Sequence, residues 1–313
     1  MNYKFDFVTR KKLFFSISIA IISLGILSLF LFGLNLGTDF RSGSRLDIDL
    51  GTQFKQEDIM KILETTQQTA KSEGISVDLT PSVIRSAGND NEIAVLNFDK
   101  TIDADILPIL KAEFAKVYGE KVGVQENTVD PTRSKELAIK AIYAVLWASL
   151  GIVIYVTLRF EFRFAIAAII ALLHDAFFVV GAFSLLRLEV DLTFIAAVLT
   201  IVGYSINDTI VLFDRIRENL KNTKVKKAED LENLVNLSLN QTLTRSINTV
   251  LTVVFAAVAL FIFAGEGVHN FSLALILGLI SGTYSSIFIA SQIWLLWKER
   301  DLKRKKLQPQ TEA

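Results

Sequence analysis

The chain has 313 residues, of which 51% are hydrophobic, and its formal net charge at pH 7 is zero. This composition is too apolar for an ordinary soluble domain, and a neutral chain lacks the basic field that attracts nucleic acid. Without cysteine there is no disulfide framework, thiol nucleophile or thiolate metal site, and two histidines are too few for a histidine-rich metal site. We therefore expect no metal and no other bound cofactor.

Six runs of about 20 predominantly apolar residues are each long enough to cross a bilayer. They are Leu13–Gly33, Leu137–Leu158, Phe164–Leu186, Leu192–Phe213, Ile247–Gly265 and Phe271–Trp297. The first run is too long for a cleavable signal peptide and lacks a small-x-small site before Asn35, so we interpret it as a retained anchor. The pattern predicts a polytopic α-helical membrane protein with six transmembrane helices.

Lysine and arginine residues distinguish the two sides of this predicted bundle. They precede the first span and follow the second, fourth and sixth, whereas the short loops Leu188–Asp191 and Glu266–Asn270 contain none. Both termini are therefore predicted to be cytoplasmic, and the long segment after the first span to be extracytoplasmic. Phe5-Asp6-Phe7 is expected to act as an interfacial anchor with its phenylalanines at the headgroup level. The basic stretch Lys298–Lys306 favours contact with anionic membrane lipid.

Residues 38–132 have the composition of a soluble domain. The predicted strands and helices are, in order, Arg45–Leu50, Glu57–Ser72 (helix), Ser76–Ile84, Glu92–Phe98, Asp103–Tyr118 (helix) and Val122–Val129. This βαββαβ order predicts one extracytoplasmic α+β, ferredoxin-like domain, with both helices on one face of the sheet. Its carboxylates are scattered at exposed positions, so we expect it to contact a protein and not to catalyse a reaction.

The remaining boundaries follow from the spans. Residues 1–37 form the N-terminal tail and first span, residues 133–297 the other five spans with a cytoplasmic loop at 214–246, and residues 298–313 the basic tail. Ala228–Leu243 is interpreted as a cytoplasmic, partly surface-lying helix in that loop. In the sixth span, Gly278 and Gly282 predict close helix approach through a GxxxG contact, and Ser281 and Ser285 belong to a polar face.

Asp208 is an acid inside the apolar run of the fourth span. Ionisable residues in lipid are costly and are usually retained for a proton path, an ion path or a pairing partner. Thr200, Tyr204 and Asn207 share its helical face, which is expected to contact other helices and not lipid. A structural acid tied to a neighbour is the alternative.

A second polar face opens the fifth span at the same predicted depth. It consists of Arg245, Asn248, Thr249 and Thr252. Burial disfavours the ionised form of Asp208, and a nearby Arg245 favours it, so the acid is a candidate to change protonation during a cycle. Anchoring at the cytoplasmic interface is the alternative role for Arg245.

The third span contains His174 and Asp175, two adjacent ionisable residues deep in an apolar run. Sequence neighbours point about 100° apart on a helix, so they need not share a partner. A hydrogen-bonded packing pair and a direct role in a proton path both stay open for them.

Four motifs of the chain are long or specific enough to compare with known families. Residues 203–219 read G-Y-S-I-N-D-T-I-V-L-F-D-R-I-R-E-N, residues 240–245 read N-Q-T-L-T-R, and residues 33–43 read G-L-N-L-G-T-D-F-R-S-G. With the adjacent pair His174-Asp175, they resemble the signatures of the SecD/SecF family of protein-export membrane proteins, in the RND superfamily. Ser42 stands where the family has the first glycine of a G-G pair, which leaves the local turn geometry open.

The resemblance extends over nearly the whole chain and implies a SecF-type subunit of the SecDF accessory complex in the bacterial cytoplasmic (inner) membrane. The implied partners are SecD, the SecYEG translocon, YajC, YidC and the translocating preprotein, besides membrane lipid. The implied function is protein export driven by the proton-motive force, with protons as the coupling ion and movement of the outer domain. The residues expected to couple protons are Asp208, Arg245, Asn207, Thr249, Asn248, Asp175 and His174.

Two other functions remain open from the sequence. A small-molecule exporter of the RND superfamily normally needs a longer chain with a repeated half and two large outer domains. A non-transporting membrane scaffold would tolerate Asp208→Asn. An enzyme is not expected, since an intramembrane protease would need a G-x-G-D pair of aspartates or an HExxH motif, and the chain has neither.

Overall fold

The computed structural model describes residues 5–41, 43–88, 90–129 and 131–307. The turn position Ser42 and the hairpin position Asn89 lie outside the described residues. The chain forms two compact units, one from residues 1–35 and 144–313 and the other from residues 36–143.

The elements are given in chain order. They are α1 (Lys11–Phe32), β1 (Asn35–Leu36), α2 (Thr38–Arg41), β2 (Gly43–Asp49), α3 (Gln56–Ser72), β3 (Val83–Ala87), β4 (Ile93–Phe98), α4 (Ile106–Tyr118), β5 (Gly123–Val129), α5 (Pro131–Arg159), α6 (Phe162–Leu185), β6 (Glu189–Val190), α7 (Leu192–Asn222), α8 (Ala228–Phe263), α9 (His269–Ser285) and α10 (Ser291–Leu307). A 3₁₀ turn, Glu266–Val268, precedes α9, and a π-helical turn, Ser286–Ala290, joins α9 to α10.

Six helical stretches within the described residues are long and apolar enough to cross a membrane. They are α1, α5, α6, α7, α8 and the joined pair α9–α10. With the sheet described below, they confirm the predicted fold class. The helices of the fourth and fifth spans continue well beyond their apolar runs, since α7 ends at Asn222 and α8 begins at Ala228.

The helix predicted at Ala228–Leu243 is present, but its predicted end is wrong, because α8 continues as one helix into the fifth span. No proline or glycine interrupts residues 228–263, so nothing in the backbone ends the helix before the span. Leu231, Leu234 and Val235 are buried in the core of the bundle. The first half of α8 is therefore held by packing through these side chains, while Glu229 and Asn233 are exposed.

The interfacial position predicted for Phe5-Asp6-Phe7 is also wrong for its second phenylalanine. Phe7 is 3% exposed and packs in the helical core, while Phe5 is 38% exposed. Asn236 Oδ1 accepts hydrogen bonds from the backbone N–H groups of Phe7 (3.0 Å) and Val8 (3.3 Å). Although partial burial opposes the shift, hydrogen bonds from Thr9, Asn236 and Val8 hold the pKa of Asp6 below its ordinary value.

The second unit contains an antiparallel sheet with the strand order β3-β4-β2-β5. With α3 after β2 and α4 after β4, this is the ferredoxin-like βαββαβ arrangement. Side chains of both helices, Ile59, Ile62, Leu63, Leu110 and Phe114, share one core with the sheet. The prediction that both helices cover a common core is confirmed.

The second strand of this sheet is shorter than predicted, because β3 begins at Val83 and not at Ser76. Asp78 Oδ1 accepts from the backbone N–H of Thr80 at 3.2 Å, which makes a local turn, and Pro81 has no N–H to give to a ladder. Pairing begins with Ser82, whose N–H donates to the carbonyl of Asn97 at 2.7 Å.

Gly43 begins β2 in a conformation that only glycine adopts easily. Its φ is +118°, and a Cβ atom there would lie 2.0 Å from the carbonyl oxygen of Phe98. Both the backbone angle and the lack of space exclude a side chain. The glycine retained in the exit motif is therefore required by the first strand of the sheet.

One end of the helical unit, which we call the basic end, is where α1 begins, α6 begins and α10 ends. Lys11 Nζ lies 3.5 Å from Glu299 Oε1, which joins the start of α1 to α10. Arg163 at the start of α6 pairs with Asp301 of α10. These contacts fix the direction of three helices relative to one another.

Candidate polar site in the helix bundle

Asp208 points from α7 toward α8. Ser246 Oγ donates a hydrogen bond to Asp208 Oδ1 at 2.6 Å. Oδ2 is buried and has no hydrogen-bond partner among the described residues, and the same is true of the Tyr204 hydroxyl one helical turn away. Ser286 and Arg245 are further polar neighbours of the carboxylate. One oxygen of this carboxylate thus accepts a short hydrogen bond from Ser246, and the other has no partner among the described residues.

Arg245 does not form an ion pair with Asp208. Over the described part of the chain no nitrogen of Arg245 comes within 4.0 Å of the carboxylate, and its side chain is exposed. Asn207, Asn248 and Thr249 are exposed as well. Asp208 thus makes the expected contact with another helix through Ser246, whereas Asn207, Asn248 and Thr249 remain exposed.

Asp175 has a different environment, because its side chain is fully buried and fully hydrogen-bonded. Ser205 Oγ (2.6 Å) and Ser285 Oγ (2.7 Å) donate to Oδ2, and Ser281 Oγ (2.7 Å) donates to Oδ1. His174 Nδ1 lies 3.2 Å from Oδ1. This carboxylate links α6 to α7 and α9. We call Asp175 and its three serine partners the Asp175 cluster.

Two glycines bring the serines of the Asp175 cluster into place. A Cβ atom on Gly278 would lie 2.3 Å from Ile201 Cδ1, and one on Gly282 would lie 3.1 Å from Ser205 Cβ. The GxxxG prediction is thereby confirmed, with α7 as the partner of α9. One turn further, Thr209 Oγ1 and Ser286 Oγ are 3.0 Å apart, so hydroxyl contacts continue into the π-helical turn.

Sequence reasoning found both acids but missed two of their partners, Ser205 and Ser246. Ser281 and Ser285 were recognised as a polar face because they are spaced by four residues. A single serine within an apolar run has no such periodic signal, since serine is common in packed membrane helices. Ser205 and Ser246 are significant only because each faces an acid on a neighbouring helix. The described residues contain no group of three or more histidine, aspartate or glutamate side chains that could hold a metal.

The fold and the site define a polytopic membrane protein with one buried acid, Asp175, one half-buried acid, Asp208, and one ferredoxin-like domain. The family model for the C-terminal part of protein export membrane proteins SecD/SecF matches residues 109–300, and the SecD/SecF GG motif matches residues 27–53. The chain belongs to the SecD/SecF family.

Relatives of known sequence agree with this assignment. The chain is 47% identical to the protein translocase subunit SecF of Alicyclobacillus acidocaldarius, over 97% of this chain and 96% of that protein. It is 49% identical to the protein translocase subunit SecDF of Bacillus subtilis, over 96% of this chain. The match covers 39% of SecDF, so this chain corresponds to one part of that longer protein.

A solved structure shows the same fold. The chain is similar to the crystal structure of SecDF, a translocon-associated membrane protein, from Thermus thermophilus. The TM-score is 0.79 with 33% identity, and the similarity covers 95% of this chain and 39% of the solved chain.

Proposed function

We propose that this chain is the SecF-type subunit of a translocase complex that promotes protein export across the bacterial cytoplasmic membrane. The observation that carries the proposal is the match to a SecF translocase subunit over nearly the full length of both chains. The six spans and the ferredoxin-like domain agree with it. Protein export then requires SecD, the SecYEG translocon and the preprotein as partners, with YajC and YidC as further members.

The exposed polar face of α7 and α8 supports a membrane partner. Asn207, Arg245, Asn248 and Thr249 are exposed although they belong to helices that can cross a membrane. Polar and charged groups are costly in contact with hydrocarbon, so this face needs a protein to cover it. The longer SecDF of Bacillus subtilis, in which the matching part is joined to other sequence, points to SecD as that partner.

Co-purification tests the assignment. The tagged chain, extracted from its native membranes in mild detergent, is expected to bring a SecD-type protein in about equal amount. Thr249→Trp places a bulky side chain on the exposed polar face and is expected to remove that protein. Leu251→Trp changes a 41% exposed position on another face of α8 and is the matched control. Isolation of the parent chain alone, or with an unrelated set of proteins, would contradict the proposed function.

We further propose that protons are the ion that drives export and that Asp208 takes up and releases them. Support comes from its buried Oδ2, which has no hydrogen-bond partner among the described residues, and from the hydrogen bond that Ser246 donates to Oδ1. Asp208 and the exposed polar face lie side by side, so protonation of the acid would be sensed where SecD packs. Movement of the outer domain is the proposed output.

The proposed orientation places both termini and the basic end in the cytoplasm. The distribution of basic residues supports this orientation. Arg187 at the opposite end does not weaken that support, because its guanidinium donates a hydrogen bond to the carbonyl of Phe32 at 2.7 Å. A cysteine in place of the exposed Asp90 is therefore expected to react with an impermeant maleimide in intact cells. A cysteine at Lys224 is expected to react only after permeabilisation. The reverse labelling pattern would reject this topology.

A further inference from the structure

A groove of about 370 Å³ lies on the side of the helical unit between α1, α6 and the last helix. Its walls are mostly apolar and include Phe15, Ile19, Ile22, Ile170, Phe177 and Ile293. Two of its three polar lining side chains, Ser18 and His174, already have partners, and the third is Ser23. Ser18 Oγ lies 3.0 Å from the Tyr284 hydroxyl, and His174 Nδ1 lies 3.2 Å from Asp175. The groove therefore favours an apolar occupant.

The groove has a direction set by the contact between α1 and α6. These helices touch at Gly25 and Gly181, where a Cβ atom on Gly181 would lie 2.8 Å from Gly25 Cα. The groove begins beside this contact, near Ser23, and runs toward the basic end, where Phe15 forms its wall. An occupant with one charged end would place that end among the basic residues.

Two cations are available at that end of the groove. Lys12 precedes Phe15 by one helical turn on the same face of α1, and Arg300 follows Ile293 by two turns in α10. Both are exposed, and neither takes part in an ion pair within the described ranges.

The acids nearby do not neutralise these cations, because they have other partners. Glu299 lies 3.5 Å from Lys11, and Asp301 pairs with Arg163. The mouth of the groove therefore carries positive charge that the described residues leave uncompensated.

We propose that this groove binds an acyl chain of an anionic phospholipid, whose headgroup phosphate contacts Lys12 and Arg300. The apolar walls match the chain, and the free cations match the headgroup charge. The groove is also within the range of about 300–1,000 Å³ that is usual for small-molecule sites.

Native mass spectrometry of the full chain, with any subunit that co-purifies, tests this directly. The protein in detergent is titrated with phosphatidylglycerol or phosphatidylcholine, and the bound lipids are counted. One phosphatidylglycerol is expected to bind in preference to phosphatidylcholine. Lys12→Gln and Arg300→Gln are each expected to reduce that preference about fivefold, since a surface cation contributes about 1 kcal/mol to anionic lipid binding. Lys224→Gln, an exposed cation away from the groove, is the matched control.

Variants that block the groove distinguish lipid bound in the groove from lipid bound elsewhere on the protein surface. Ser23→Trp fills the groove and is expected to abolish retention of the lipid, whereas Leu24→Trp, at a 51% exposed position that does not line the groove, is expected to retain it. If Ser23→Trp does not fold, the charge variants decide. Equal binding of the two lipids, or unchanged binding in Lys12→Gln and Arg300→Gln, overturns the proposal. So does a photocrosslinker at position 22 that captures protein in membranes and not lipid.

Discussion

Replacing Asp208 by asparagine is expected to abolish the gain in export that depends on the proton-motive force, while the protein still inserts and assembles. Asparagine keeps the size of the side chain and an oxygen that accepts from Ser246, but it does not titrate. A unit charge that crosses the membrane potential contributes about 2.3 kcal/mol per 100 mV, which shifts a conformational equilibrium about fiftyfold. Removal of the titrating group removes that contribution completely.

The measurement is the rate of preprotein translocation into inverted membrane vesicles at several imposed potentials. Asp208→Glu retains a titrating group and is expected to keep part of the gain. Asp214→Asn alters an acid of the same helix that pairs with Arg159 (3.3 Å) and Arg217 (3.0 Å), and it is expected to keep the whole gain. If Asp208→Asn translocates as fast as the parent at every potential, Asp208 is a structural acid and a scaffold function is the better explanation.

The position of Asp208 could be predicted from sequence, but its partner could not. The apolar run and the depth of Arg245 in the next span suggested Arg245 as the electrostatic partner of Asp208 and left open whether the two touch. The structure instead gives Asp208 a hydrogen bond from Ser246, the residue next to Arg245. Adjacent helix residues point about 100° apart, so the choice between them depends on the rotation of α8 about its axis. Hydropathy gives the depth of a residue and contains no information on that rotation.

Hydropathy is equally uninformative about helix ends, and this explains where the predicted helix boundaries differ from the structure. Apolar windows located all six spans because the bilayer imposes a minimum length of hydrophobic sequence. They do not report where a helix ends once it leaves the membrane, and α8 begins at Ala228, well ahead of its apolar run. Burial of Phe7 against Asn236 was also outside the reach of pattern reasoning, because the two are 229 positions apart in the chain.

The βαββαβ domain was easier to predict because its signals are local. Alternation in β2 and the helical spacing of Ile59 and Leu63 each act over a few residues, and the order of elements then leaves few topologies. The error at Ser76 arose where Asp78 and Pro81 override the apolar pattern. A turn made by a side chain and a missing N–H both outweigh a modest preference for strand.

Asp175→Leu is expected to lower the stability of the bundle by about 2–4 kcal/mol. The substitution leaves Ser205, Ser281 and Ser285 without the acceptor that all three now share, and a buried unsatisfied polar group costs about 1–3 kcal/mol. Part of this cost is recovered, because serine hydroxyls in helices also bond to backbone carbonyls, as Ser285 does to Gly282 at 3.1 Å. The measurement is the midpoint of thermal aggregation in detergent, followed by fluorescence-detected chromatography.

Two matched variants identify the cause of that loss. Asp175→Asn keeps the shape and an acceptor oxygen, so it is expected to cost less than about 2 kcal/mol. The quadruple variant that combines Asp175→Leu with alanine at the three serines removes every partner at once. It is expected to be more stable than Asp175→Leu alone, because removing both sides of a buried hydrogen bond is often close to neutral. Equal stability of the single and quadruple variants would show that the serines are not what Asp175 holds.

Export by Asp175→Asn separates the two roles that the sequence left open for this acid. A packing role requires a hydrogen-bond acceptor and no titration, so the variant is expected to retain nearly all of the potential-dependent gain. A place in the proton path would instead make Asp175→Asn behave like Asp208→Asn. The difference in environment favours the first outcome, because three hydroxyls already satisfy the Asp175 carboxylate, whereas an oxygen of Asp208 has no partner among the described residues. An Asp175→Asn protein that assembles normally and has lost the gain would place both acids on one path.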